Sequence, residues 1–156
     1  MPTLNPADVG EDFLRRVPMA RTMGLVIDEA LPTKAVVRLP DQDKFHNHLG
    51  GPQAGAIFTL GEAASGIIVL AAFGDQLERA VPLAVQAQIT YRRVAMGQIT
   101  AVAEMPYSAS EVTAQLDAGM RPEFEVPVVI TRDDGAVIAE MVTLWTLRPK
   151  DSTAPM

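Results

Sequence analysis

Apolar and polar residues alternate along several short stretches of the chain, which is the pattern of half-buried β-strands. The clearest alternation lies in 83–94, with apolar residues at Leu83, Val85, Ala87, Ile89 and Tyr91. Five further strands are predicted at 23–31, 34–40, 98–105, 124–132 and 136–147. Turns are predicted at Pro32-Thr33 and at 133–135. Pro127 predicts an edge or a bulge in its strand.

One long stretch, 52–73, is apolar on every side of a helical wheel and predicts a helix inside the core. Its length corresponds to roughly 30 Å of helix, and Gly74 is expected to cap it. Glu62 lies at its middle. A membrane-spanning helix does not normally hold an unpaired carboxylate there, so we expect no membrane span.

The remaining segments complete a single domain over 1–150, followed by a flexible tail at 151–156. A short helix is predicted from Asn5-Pro6 to about Pro18, and 41–52 is predicted to be a loop. An excursion at 106–123 should contain a short helix near Glu111–Leu116. The predicted fold class is α+β. An antiparallel sheet of five to six strands wraps around one long central helix, which is the hotdog fold.

The composition of the chain excludes several classes of function. The net charge is −6 and no basic cluster is longer than Arg92-Arg93, so nucleic-acid binding is not expected. The sequence has no cysteine, which excludes thiol catalysis and Zn–thiolate sites. The acidic, polar N-terminus is not a signal peptide, and we expect a cytoplasmic protein. His46 and His48 lack a nearby carboxylate set in the sequence and are interpreted as surface residues, so no metal site is expected.

The start of the long helix resembles the motif of the PaaI-type hotdog acyl-CoA thioesterases. In that family an Asn or Gln precedes His-Gly-Gly, and a catalytic Asp or Glu follows nine residues after the His. Here Glu62 lies nine residues after Gln53 and fifteen after Asn47. The resemblance extends to 88–91 and to Met96-Gly97, and covers roughly 20–147. It implies hydrolysis of an acyl-CoA or acyl-carrier thioester, with coenzyme A as part of the substrate and no separate cofactor.

The physics of thioester hydrolysis suits these positions. A carboxylate must attack the carbonyl or activate water, and donors must stabilise the oxyanion; Glu62 and the Ala54 amide at the helix N-terminus are the candidates. Eight residues of helix separate them by about 12 Å, so one carbonyl cannot touch both. The donor and the carboxylate must come from two subunits of a homo-oligomer, either a dimer or a dimer of dimers. Asn47 would orient water or polarise the carbonyl.

Other candidate residues are expected to hold the substrate rather than react. Arg92 and Arg93 would clamp the CoA phosphates, although a solvated strand end is the alternative. The remaining substrate-binding candidates are Gly55, Ser65, Gly66 and Ala84. The chain departs from the family pattern because Gln53 replaces the His, Ala54 the first Gly, and Ala84 a Ser on the following strand.

Purely structural roles for the candidate residues, and two other functions for the protein, stay open. Glu62 could be a buried carboxylate satisfied by Ser65, Thr59 or water; Asn47 could be a turn residue and Gln53 simply a helix start. The protein could be a hotdog dimer that binds an acyl chain without catalysis. It could also be a hydroxyacyl dehydratase or enoyl hydratase, since His48 precedes Glu62 by fourteen residues, the spacing in those enzymes.

Overall fold

A six-stranded antiparallel sheet wraps around one long helix in the computed structural model, which describes residues 8–151. The strands are β1 (Val26–Ala30), β2 (Lys34–Leu39), β3 (Ala80–Tyr91), β4 (Ile99–Glu104), β5 (Glu123–Arg132) and β6 (Val137–Pro149). Their order in the sheet is β1-β2-β4-β5-β6-β3. All six predicted strands are present, and the predicted arrangement of sheet around helix is confirmed.

The central helix, α3, spans Ala54–Phe73 and packs against β2, β4 and β5. Small residues on α3 let the sheet approach closely: a Cβ on Gly61 would lie 2.6 Å from the Met141 sulfur. The segment Ala54–Gln76 is long and apolar enough to cross a membrane, yet 72% of its most apolar window is buried inside the fold. Its hydrophobicity is therefore explained by the core that it fills.

The helix starts two residues later than predicted and ends at Phe73, as predicted. Gln53 adopts an extended conformation and caps α3, because its side-chain oxygen accepts a hydrogen bond from the Gly55 amide at 2.6 Å. Gly74 follows the last helical residue as predicted but keeps a right-handed conformation, and a single 3-10 turn continues to Gln76. Gly74 is thus the C-cap of α3, as predicted, without the left-handed conformation that many glycine caps adopt.

Three shorter helices lie outside the sheet. They are α1 (Val9–Arg16), α2 (Pro18–Thr22) and α4 (Ala109–Asp117). Pro18 separates α1 from α2, because proline is favoured in the first turn of a helix and not in its interior. The predicted start at Asn5-Pro6 lies outside the described residues. The helix predicted in the excursion begins earlier than expected, where Ser108 and Glu111 form a capping box.

Strand β3 lies at one edge of the sheet and pairs only with β6 among the described strands. A bulge at Val85 shifts its register, so the predicted alternation holds only after it. Ala87 and Ile89 face the core as expected. Before the bulge, Pro82 and Ala84 face inward, because they pair with the inward-facing Leu147 and Trp145 of β6. Leu83 therefore lies on the opposite face of the sheet from Ala87 and Ile89, whereas the predicted alternation places them on one face.

Pro127 lies in a central strand, which corrects the prediction of an edge strand. β5 lies between β4 and β6, and its register with β6 is irregular at Ile130/Thr131 rather than at the proline. Pairing with β4 ends at Val128, so Pro127 is the first residue beyond that ladder. A proline costs little there, because one side of the strand no longer needs its amide.

Candidate functional site

Glu62 lines a cavity of about 280 Å³ between α1, α3 and the sheet. The carboxylate projects from the middle of α3, where the residues on either side are buried. The apolar lining comes from α1 and its end, from α3, and from two strands: Phe13, Val17, Val69, Leu70, Pro82 and Trp145. Arg16 also lies at the cavity and is paired with Asp12. Placing a carboxylate on a mainly apolar wall costs free energy of solvation. Carboxylates in such surroundings are therefore candidates for functional residues.

Neither side chain suggested as a partner for the Glu62 carboxylate is available to it. Ser65 donates its hydroxyl hydrogen to the backbone carbonyl of Glu62 at 2.8 Å, and it accepts the Trp145 indole N–H at 3.1 Å. Thr59 donates instead to the Gly55 carbonyl at 2.9 Å. No hydrogen bond or ion pair to the Glu62 carboxylate occurs among residues 8–151. Burial raises the pKa of Glu62, because water solvates the charged form better than the cavity wall does.

A second and larger cavity, of about 520 Å³, lies beside the N-terminus of α3. Gln53 and Gly55 line it, and all three residues at the helix start, Gln53 to Gly55, are exposed. The Gly55 amide is used by the Gln53 cap. The Ala54 amide has no acceptor within the described chain and remains a free donor at the positive end of the helix dipole.

His46 lies at this second cavity and is held by an acidic residue. Its Nε2 atom lies 2.6 Å from a carboxylate oxygen of Asp41, and its ring is only partly exposed. The interpretation of His46 as a plain surface residue is therefore incomplete. His48, by contrast, is exposed in the turn and lines neither of the two cavities. Within residues 8–151 no cluster of three or more acidic or histidine side chains could hold a metal ion.

The side chain of Asn47 folds the loop that leads to α3. Its oxygen accepts the amides of Leu49 and Gly51, at 2.8 and 3.3 Å, and its amide nitrogen donates to the Pro52 carbonyl at 3.3 Å. These contacts are those of a turn residue. In this single chain the amide is thus engaged by its own loop, and Asn47 does not line the Glu62 cavity.

The predicted substrate-binding residues divide between several places. Gly66 lines the Glu62 cavity and Gly55 the second cavity, while Ser65 is fully buried behind Glu62. Ala84 is exposed on the inward-facing side of β3. Arg92 forms an ion pair with Glu140, at 2.8 Å. Arg93 donates to the Val137 carbonyl at 3.2 Å.

Tyr91 connects the edge strand to the helix start. Its hydroxyl donates to the Ala54 carbonyl at 3.0 Å, so the end of β3 holds the first turn of α3. The sequence analysis did not identify Tyr91 in this role, nor Phe13, Val17 and Trp145 as walls of the Glu62 cavity. Their positions depend on packing between distant segments, and nothing in the local sequence around them indicates it.

Solved structures share this architecture over nearly the whole chain. A Pseudomonas aeruginosa protein of unknown function is 24% identical, with a TM-score of 0.83 over 94% of this chain and 97% of its own. A thioesterase family protein from Silicibacter pomeroyi is 22% identical, with a TM-score of 0.73 over 93% and 99%. Escherichia coli PaaI, from the phenylacetic acid degradation operon, is 14% identical, with a TM-score of 0.71 over 92% of both chains.

These likenesses and the sheet wrapped around α3 define a hotdog-fold protein, as the sequence predicts. The resemblance to the hotdog thioesterases is confirmed as a likeness of fold. The chain belongs to the family described as a domain of unknown function, DUF4442, whose pattern matches residues 9–147. No curated protein matches the sequence.

Proposed function

We propose that the protein hydrolyses an acyl thioester of coenzyme A or of an acyl carrier, with Glu62 as base or nucleophile. The observation that carries the proposal is the Glu62 carboxylate, which faces a mainly apolar cavity without a hydrogen-bond partner in the described chain. A pKa raised by burial makes a carboxylate a stronger base, which suits it to remove a proton from water.

The reaction requires few groups. In the water route, Glu62 takes a proton while the oxygen of that water bonds to the thioester carbonyl carbon. The C–S bond then breaks, and the sulfur leaves as a thiol after receiving the proton. In the direct route, Glu62 itself bonds to the carbonyl carbon and the thiolate leaves. Water then cleaves the resulting anhydride, and one of its two protons passes to the thiolate. Both routes give a carboxylic acid and a free thiol, and both place negative charge on the carbonyl oxygen.

The Ala54 amide is the proposed donor to that oxygen. It is free and lies at the N-terminus of a helix of 20 residues, where backbone donors and the helix dipole favour an anion. Gln53 adds a second donor, because its oxygen is occupied by the Gly55 amide while its own NH₂ group is not. Asn47 is proposed to position this loop through the hydrogen bonds described above.

Glu62 and Ala54 of one chain are too far apart to serve one substrate. They lie about 12 Å apart along α3 and face different cavities. A two-fold dimer would bring Glu62 of one subunit to Ala54 of the other. The open edge of β3, 12 residues long, supports this arrangement, because a second copy could extend the sheet there. Ala84 would then lie near the interface, with Arg92 and Arg93 at the end of the paired strands.

Structures with the same fold support the reaction class, since one is named a thioesterase family protein. A binding protein without catalysis remains the second candidate, because Gln53 and Ala84 stand where the family's His and Ser are expected. No observation favours the hydratase, whose candidate base His48 is exposed in the turn.

The test is a panel of acyl-CoAs assayed with a free-thiol reagent, comparing the wild type with Glu62→Gln. We expect the variant to lose about 10²- to 10⁴-fold in turnover, the usual contribution of a general base. Glu125→Gln is the matched control, because Glu125 is exposed on β5. Equal turnover in wild type and Glu62→Gln would refute the role of Glu62. Absence of turnover combined with thermal stabilisation by acyl-CoA would instead establish the binding protein.

A further inference from the structure

The cavity beside Glu62 is partly open to solvent and is walled by aromatic and aliphatic side chains. Its volume of about 280 Å³ is roughly twice that of an apolar cavity of about 150 Å³ that holds one benzene molecule. Its walled space therefore fits an aryl group with a short linker, or an alkyl chain of about six to eight carbons, and a full fatty-acyl chain would extend beyond it.

Gly66 lets the aromatic wall of this cavity pack closely against α3. A Cβ at Gly66 would lie 3.2 Å from the Phe13 ring and 3.6 Å from the Trp145 ring, so even a methyl group would press on the cavity wall. Phe13 and Trp145 are themselves buried, with 6% and 7% exposure, and the Trp145 indole is fixed by its hydrogen bond to Ser65. The aromatic end of the cavity thus has little freedom to enlarge.

The charges at the cavity select against an acidic acyl group. Glu62 contributes a carboxylate with no ion-pair partner in the described chain, and the guanidinium of Arg16 is held by Asp12, a carboxylate that it shares with Arg15. A second carboxylate on the substrate would lie in a mainly apolar space beside Glu62, where like charges repel and neither is well solvated. An uncharged acyl group does not have this electrostatic cost, and burial of its apolar surface stabilises the complex.

We propose that this cavity takes the acyl group of the substrate, which is neutral and compact: a medium-length alkyl or a short aryl-alkyl chain. This inference rests on the proposed thioester hydrolysis. Val17 and Val69 set the size of the site, since both line the cavity and neither carries a polar group that the reaction needs.

The experiment measures kcat/KM for CoA esters of increasing chain length, from acetyl to palmitoyl, together with phenylacetyl and succinyl esters. We expect a maximum at hexanoyl to octanoyl, with palmitoyl and succinyl at least about tenfold lower. Val17→Phe should move the maximum to shorter chains and Val69→Ala to longer ones. Val129→Phe, on the outer face of the sheet, should leave the profile unchanged. A maximum at palmitoyl, or the same shift in Val17→Phe and Val129→Phe, would overturn the inference.

Binding provides a readout that does not depend on turnover. Trp145, the single tryptophan, lines the cavity, so its fluorescence should respond when octanoyl-CoA binds to Glu62→Gln protein. Val17→Phe added to that protein should weaken the binding by about tenfold or more. If the wild type turns over no ester but this binding and its sensitivity persist, the reaction is refuted and the acyl site stands. If octanoyl-CoA neither binds nor reacts, the inference fails.

Discussion

Ala54→Pro tests the proposed oxyanion donor with unusually little disturbance to the fold. Ala54 is the first residue of α3, and its amide has no acceptor within residues 8–151. Proline is favoured at this position because the amide it removes is one that the helix cannot use. Gln53 already adopts φ −70° and ψ 149°, the extended conformation that a residue before proline prefers. We therefore expect the variant to fold with nearly unchanged stability.

The expected effect on turnover is large. Removing one oxyanion donor typically costs about 10²- to 10³-fold in kcat, so Ala54→Pro should fall by that factor on the best acyl-CoA ester. The assay is thiol release, with thermal melting and gel filtration to show that fold and assembly are retained. Ala54→Gly is the control, because it keeps the amide and removes only the methyl group. Full activity in a well-folded Ala54→Pro protein would refute the role of this amide.

Mixing the two inactive variants tests whether the site is shared between subunits. In a dimer of one Glu62→Gln chain and one Ala54→Pro chain, one site holds both intact groups and the other holds neither. If the subunits exchange randomly, half of the dimers are mixed and each has one working site, so activity should recover to about a quarter of the wild-type level. No recovery after confirmed subunit exchange would show that the two groups do not act across the interface.

Three further substitutions test the structure around the site. Glu62→Gln should raise the thermal stability at neutral pH. Burial raises the pKa of Glu62 in the folded state, so the folded wild type is most stable when Glu62 is protonated and loses this stability as pH rises through that pKa. In melts at several pH values, the stability advantage of the variant should therefore disappear on acidification. Ser65→Ala should cost about 1–3 kcal/mol in urea unfolding, because the buried Trp145 indole N–H loses its acceptor; an unchanged unfolding midpoint would contradict this. Gly51→Ala should cost about 1–3 kcal/mol or more, because its Cβ would lie 2.0 Å from the Ala95 carbonyl oxygen; a melting curve equal to the wild type would show that the loop can move aside.

Local sequence patterns were sufficient to predict the six strands and the central helix, but not the short helix α2. These patterns determine secondary structure locally: alternation indicates the strands, the long apolar segment indicates the central helix, and Pro18 marks the end of the first helix. The Val85 bulge was not predictable in this way, because it depends on how β3 meets β6 across the sheet. The missed start of α4 is different: Ser108 and Glu111 are a capping box that can be recognised in the sequence itself.

The candidate site was predictable only in part. Glu62 stood out because a carboxylate is unexpected within an apolar helix, and its place in a mainly apolar cavity agrees with that reasoning. The cavity itself was not foreseen, since it forms where Phe13 meets Trp145 from the other end of the chain. His46 was set aside for a similar reason. Its pairing with Asp41 depends on how the loop folds.

The hydroxyl of Tyr91 gives the edge strand a second consequence in the proposed assembly. β3 is the strand that a partner subunit would extend, and Tyr91 at its end holds the first carbonyl of α3. A displacement of the strand by its neighbour would therefore be transmitted through one hydrogen bond to the backbone that carries the Ala54 amide. In the proposed assembly, subunit association and the orientation of the Ala54 amide would therefore be coupled. Association would then both complete the proposed site and adjust the direction of its backbone donor.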